Sequence, residues 1–183
     1  MDKPLPMTVS PSPSFSLQRC PQRFPVRPCA GVALFNAKGR VFIGRRRPRW
    51  ASSDIWQMPQ GGIDKGETAQ TAAFRELKEE TGITSAIMLS EVPGWLSFEL
   101  PRDLLGVALK GRYRGQRLRW FAMSFNGDDR EINVGPKGRM KSEFDTWRWA
   151  ELAEVPELVA PFKRAVYETV VQEFTPFALR TAA

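Results

Sequence analysis

The period of the apolar positions changes several times along the chain, and each change marks an expected element. From Gly31, the run Val32, Ala33, Leu34 and Phe35, a turn at 36–39 and then Val41, Phe42 and Ile43 predict two strands joined as a hairpin. Residues 68–81 are rich in helix formers. Ala69, Ala72, Ala73 and Leu77 are spaced there for a buried stripe, and Gly82 stands at the stop. The opposite face of that helix is acidic. Residues 86–92 and 95–100 read as strands, and 118–125 alternates Leu118, Trp120 and Ala122 with Arg119, Phe121 and Met123, which implies a sheet. The segment 126–142 is polar, holds four glycines or prolines, turns basic at Lys137, Arg139 and Lys141, and is long for a plain connection. A strand follows at 144–149. Beyond Pro161, the residues Ala165, Val166, Val170 and Phe174 fall at helical spacing, so a packed amphipathic helix is expected near the end.

The ends have no such period. Residues 1–25, with Pro4, Pro6, Pro11, Pro13, Pro21 and Pro25 among serines, read as a flexible tail. They lack the apolar core of a secretory signal, although their Ser and Arg content faintly resembles a transit peptide. The expected organisation is therefore an N-terminal tail, one domain over 26–176 and a C-terminal tail over 177–183. A length of 183 residues suits one domain. No stretch approaches the ~20 apolar residues of a membrane span, so no membrane partner is expected, and the expected location is cytoplasmic. Cys20 and Cys29 have no second cysteine pair or histidine with which to build a zinc site, and read as free thiols.

Composition narrows the chemistry. The chain has no histidine, which removes Ser-His-Asp and Cys-His schemes and every imidazole metal site. The formal charge of +7 is uneven: residues 1–50 hold ten Lys or Arg against the single acid Asp2. Such an imbalance concentrates anionic partners such as polyphosphates or RNA, although a charge run is also how a solvated face looks.

The densest local signal is GGIDKGETAQTAAFRELKEETGI, residues 61–83. On a helix of ~3.6 residues per turn, Glu76 lies three residues from Glu79 and four from Glu80, so the carboxylates share one neighbourhood and repel one another. Hard oxygen ligands so placed suit Mg²⁺ or Mn²⁺, which engage substrate phosphates directly, and the adjacent Arg75 could hold one of the carboxylates in position. On spacing alone, a solvated acidic helix face remains the alternative.

Gly61, Glu67, Arg75, Glu76, Leu77, Glu79, Glu80, Gly82 and Ile83 meet every fixed position of the Nudix hydrolase signature, and the chain resembles that family. The resemblance implies an α/β fold: an α/β/α sandwich with a mixed central sheet and a loop-helix-loop catalytic element. It also implies that Glu76, Glu79 and Glu80 bind divalent cations, which position a polyphosphate and activate water without a covalent nucleophile.

WQMPQGGID at 56–64, YRGQRLRWF at 113–121, EFDTWRW at 143–149 and PFKRAVYE at 161–168 look like the branch of RNA pyrophosphohydrolases and dinucleoside polyphosphate hydrolases. This implies that Glu143 completes the metal site or acts as general base, with Glu79 and Arg75 also in the catalytic set. Gln60 is expected against bound phosphates. Arg46 and Phe162 are expected to clamp a base, with Arg27, Arg45 and Lys163 nearby on phosphate; Phe162 as a core residue and Arg45 to Arg47 as solvated side chains are the alternatives. The implied activity is removal of pyrophosphate from the 5′-triphosphate end of RNA, as in messenger decay, with diadenosine polyphosphate hydrolysis as the rival substrate reading. A binding module without turnover is the reading from another class, and the full set of glutamates argues against it.

Overall fold

The computed structural model describes residues 24–47, 54–136 and 142–181. The expected N-terminal tail up to residue 23, Cys20, and the basic residues Lys137, Arg139 and Lys141 lie outside them. The chain forms strands β1 (Val26–Phe35), β2 (Val41–Arg46), β3 (Trp56–Gln57) and β4 (Gln60–Gly62), followed by helix α1 (Ala69–Thr81). Strands β5 (Ala86–Glu91), β6 (Leu96–Glu99), β7 (Gly115–Phe125) and β8 (Phe144–Ala150) follow. Helices α2 (Val155–Leu158) and α3 (Arg164–Thr181) complete the order.

All eight strands belong to one mixed sheet. Its spine is the parallel pair β1 and β7, in register from Val26 opposite Gly115 to Phe35 opposite Ser124. Parallel strands are covered on both faces, and these two are. Ala30, Val32 and Leu34 of β1 and Phe121, Met123 and Phe125 of β7 face α1, where they meet Ala72, Ala73 and Leu77. The alternate set, Cys29, Ala33 and Phe35 with Leu118, Trp120 and Ala122, faces α2 and α3 and packs with Val155, Tyr167, Val170 and Phe174. Trp120 and Tyr167 meet edge to face, with ring centroids 5.2 Å apart. The layers are those of the α/β/α sandwich.

The departure from a regular sheet builds the site. Strand β2 touches β1 only where Phe35 faces Val41, and then diverges to pair with β3 and β8. The same edge of β1 is taken up lower down by β4, with Ala30 opposite Gly61 and Gly31 opposite Gln60. The chain leaves β4 directly into the loop before α1. Thr68 caps that helix, its Oγ1 accepting from the Thr71 N–H at 3.1 Å. The Gly82 N–H closes the helix on the Lys78 carbonyl.

Two expectations need correction, and the long segment after β7, left without a role by the sequence, gains one. Strand β1 starts at Val26, not Gly31, because the hydrogen bonds to β7 extend it past Arg27 and Pro28, where the apolar pattern stops. The last helix does not yield to a tail at residue 177. It runs through Pro176 to Thr181, with Phe177 edge to face against Phe174 at 6.1 Å and Ala178 on the same core. Pro176 forfeits one backbone hydrogen bond, and the buried contacts beyond it offset that loss. Nor is the loop after β7 idle over 126–136. The Glu131 carboxylate accepts from the N–H groups of Thr84 and Ser85 at 2.6 and 3.1 Å, and the Asn133 N–H donates to the Thr81 carbonyl at 2.7 Å. This segment therefore fastens the C-terminal end of α1.

Phe174 is wholly enclosed by the sheet and the last turns of α3. Phe174→Ala should lower unfolding free energy by about 3–5 kcal/mol, read as a fall in the urea midpoint. A loss under about 1 kcal/mol would mean that α3 is not packed as described.

Candidate active site

Two adjacent glycines of β4 make room for side chains on opposite faces of the sheet, Gly61 for the acidic helix and Gly62 for Arg27. A Cβ on Gly61 would fall 1.9 Å from the Glu76 carboxyl carbon, and one on Gly62 would fall 2.3 Å from a terminal nitrogen of Arg27. Glu76 thus rests on one glycine of β4 and the Arg27 guanidinium on the next. A side chain at Gly61 would displace Glu76, and one at Gly62 would displace Arg27.

Arg75 ties the loop to the helix. Its Nε and one terminal nitrogen donate to the two oxygens of Glu67, both at 2.9 Å, the bidentate geometry of a strong ion pair. That terminal nitrogen also reaches the Gly62 carbonyl at 2.8 Å, and the other donates to Glu76 at 2.8 Å and to Glu79 at 3.3 Å. Glu67 further accepts from the Asp64 N–H at 3.0 Å. The Arg75 fork and that N–H hold the Glu67 carboxyl down at about 2. Glu67 belongs to the signature yet was not among the expected site residues. Its fixed place in the motif was the available signal, and its work is to position Arg75.

The other carboxylates crowd one another. Burial raises the Glu80 carboxyl well above its ordinary range, and Glu143 and Glu76 push it the same way. The Gln60 N–H, donating to Glu80 at 3.1 Å, opposes this only in part. Burial likewise raises Glu76, against the pull of Arg75. Glu143, beside β8, is in an ion pair with Arg46 at the end of β2. As they stand, no three carboxylates among the described residues converge on one point. Arg75 draws Glu76 and Glu79 aside, and Arg46 draws Glu143 aside. The donor set nevertheless fits a hard divalent cation: anionic oxygens, two of them destabilised by burial and by each other, with too few donors to balance them.

The expected substrate residues divide. Arg46, Glu143 and Glu80 all act on the Lys163 ammonium, so these groups share one neighbourhood. Lys163 is buried and donates to Gln57 Oε1 at 3.0 Å. Phe162, in the turn Pro161–Lys163, is half-buried and lies against Phe98 with centroids 5.5 Å apart. Arg45 turns to Asp145 at 2.9 Å. Gln60 is buried: its amide donates to Gln116 Oε1 at 3.0 Å, and its Oε1 accepts from the Tyr167 hydroxyl at 3.4 Å. Gln116 continues the chain to the Cys29 sulfur at 3.2 Å, and burial pushes that thiol up to about 11. The side chain of Gln60 therefore anchors the floor of the site, while its backbone N–H addresses Glu80. Gln57, Gln116 and Tyr167 were missed, because nothing local marks a residue as part of a buried polar chain.

Burial, helped by the Arg46 charge, brings Lys163 from 10.5 down to about 7, against the opposing pull of Glu143, Cys29 and Glu80. The unfolded chain then binds one more proton than the folded chain between about pH 7 and 10.5, so this residue's contribution to stability rises with pH across that window. In EDTA, the urea stability of the wild type relative to Lys163→Met should climb from pH 7 to pH 10. A flat difference would show that Lys163 is solvated.

The chain is similar to known proteins over most of its length. The NUDIX domain model matches residues 25–170. The RNA pyrophosphohydrolase of Bradyrhizobium diazoefficiens is 54% identical over 158 residues, covering 84% of this chain and 95% of that protein. That of Agrobacterium fabrum is 51% identical over 156 residues, covering 82% and 92%. Among solved structures, an Ap4A hydrolase binary complex from C. elegans superposes with a TM-score of 0.60 at 21% identity, covering 83% of this chain and 97% of that one. The dihydroneopterin triphosphate pyrophosphohydrolase of E. coli gives 0.59 at 22%, covering 81% and 99%. These two likenesses concern the fold alone. With the domain matched from the first strand into the last helix, the glutamate-bearing helix laid against Gly61 and relatives more than half identical, the chain belongs to the Nudix hydrolase family.

Proposed function

We propose that the protein hydrolyses the 5′-triphosphate end of RNA, releasing pyrophosphate and leaving a 5′-monophosphate. The observation that carries this reading is the 54% identity, over nearly the whole length of the relative, to a protein named RNA pyrophosphohydrolase. Glu76, Glu79, Glu80 and Glu143 would hold Mg²⁺, with Mn²⁺ as a substitute. Bound there, the cation would neutralise the polyphosphate and lower the pKa of the attacking water.

The chain's own residues do the rest. Arg75 positions Glu76 and Glu79 and holds them on the helix face. Glu143 is held by Arg46, and an arriving phosphate would compete for that guanidinium; Glu143 would then join Glu80 only around a bound cation, because the two carboxylates repel. Arg27, beside Gly62 and close enough to Glu76 to lower its pKa, is placed to take phosphate charge, as is Lys163. Phe162 and Arg46 would, in this reading, clamp the nucleotide, and Arg45 would meet the strand's phosphates. In this reading the enzyme works in the cytoplasm, where triphosphorylated transcripts are made.

The deciding assay compares 5′-triphosphorylated RNA with diadenosine tetraphosphate in magnesium at matched concentrations, following pyrophosphate and mononucleotide. RNA should be converted faster; preferential cleavage of the dinucleotide would overturn the RNA reading. Glu79→Gln should lower kcat by at least about 100-fold while RNA affinity is kept, since the lost ligand acts on charge developed in the transition state. Unchanged phosphate release would refute the metal assignment. Gly61→Ala, which forces the Glu76 carboxylate off β4, should cost a comparable factor and leave the far-ultraviolet circular dichroism intact.

A further inference from the structure

A tryptophan outside this site is held as a platform. Trp95 precedes β6 and is 42% exposed, the one aromatic ring among the exposed large hydrophobic side chains of the described residues. The Arg117 guanidinium lies 4.7 Å from its ring centroid and that of Arg119 5.9 Å away, both in cation–π range. Arg119 is also tied to Glu91 at 2.8 Å. Arg117 is exposed, and among the described residues no carboxylate lies within ion-pair distance of it. Gly94, next to the ring, has open space where a Cβ would stand.

Sheet register relates this platform to the glutamates. Gly61, under Glu76, pairs with Ala30, and Ala30 pairs with Arg119. Residues paired in this way share a face, so Arg119 and Arg117 emerge on the α1 side of the sheet, beyond the end of the helix packing. Two strand spacings, about 10 Å, separate Gly61 from Arg119 within the sheet, with Ala30 buried under α1 between them, so a strand of nucleic acid reaches Arg119 around the helix rather than along this line. An exposed indole flanked by two guanidinium groups, one of them without an ion-pair partner among the described residues, is the combination that holds single-stranded nucleic acid: the ring stacks on a base and the cation meets the backbone.

The geometry points to Trp95, with Arg117 and Arg119, as a stacking site for a base of the RNA strand downstream of its triphosphate end. This inference rests on RNA being the substrate. It makes the chain prefer an RNA end to a mononucleotide, because only a strand reaches from the glutamates to the indole.

The test compares Trp95→Ala, Trp95→Phe and Arg117→Gln with the wild type, on a 5′-triphosphorylated ten-nucleotide RNA and on a nucleoside triphosphate. Trp95→Ala should raise KM for the RNA about tenfold with kcat held within about twofold, and leave nucleoside triphosphate hydrolysis unchanged. Trp95→Phe should restore most of the RNA affinity, and Arg117→Gln should lose part of it together with part of its salt dependence. An unmoved KM for RNA, or equal changes on both substrates, would overturn the platform. Should the wild type fail to hydrolyse triphosphorylated RNA, the proposed activity falls. The platform is then decided by fluorescence anisotropy of the 3′-labelled RNA in EDTA, where about tenfold weaker binding by Trp95→Ala supports it and equal binding refutes it.

Discussion

The guanidinium of Arg75 is the interaction on which the site depends. One planar fork engages Glu67, the Gly62 carbonyl, Glu76 and Glu79, so loop, strand and helix are fixed by a single side chain. A lysine could not do this: it offers a point charge where the arrangement needs donors in fixed directions. Without that fork, Glu76 and Glu79 would lose the guanidinium that lies between them, and the loop leaving β4 would lose its anchor. The depression of Glu67 to about 2 reflects the strength of the arrangement. The elevation of Glu80 and Glu76 reflects what the arrangement leaves uncompensated.

The fold supplies the conditions for this chemistry through one irregularity. Because β2 leaves β1 after Phe35, β4 can occupy the lower edge, and α1 is delivered across Gly61 onto the sheet. On the other face, Tyr167 of α3 reaches through to Gln60 and to the Met58 N–H, which it meets at 3.2 Å. The polar floor of the site is thus braced by the helix that also covers the core. Glu131 and Asn133 restrain the far end of α1 from the loop after β7. The glutamate-bearing helix is capped at its start by the local Thr68 and restrained at its far end by Asn133, which is distant in sequence.

Charge is distributed by need. Cations with ion-pair partners, such as Arg46 on Glu143 and Arg45 on Asp145, keep the surface near the glutamates from being uniformly repulsive or uniformly sticky. Lys163 pays for its enclosed position with a lowered proton affinity, and an incoming anion would restore it. These pairs are exchangeable, whereas the Arg75 contacts with Glu67 and the Gly62 carbonyl are enclosed and structural.

Much was legible in the sequence where the code is local. The helix stripe of Ala72, Ala73 and Leu77, its stop at Gly82, the two-faced alternation of β7 and the spacing of Glu76, Glu79 and Glu80 all follow from residues within a few positions of one another. The nine signature residues identified the family, and the absence of histidine left carboxylates as the chemistry at hand. Tertiary structure alone decided what depends on contacts far apart in the chain. It extended β1 to Val26 through β7 and carried α3 past Pro176 on the contacts of Phe177. It turned the Gln60 side chain inward to Gln116 and Tyr167, and paired Arg46 with Glu143 across 97 positions. The physical reason is the same in each case: periodicity records which side of an element meets the core, but not which distant partner waits there.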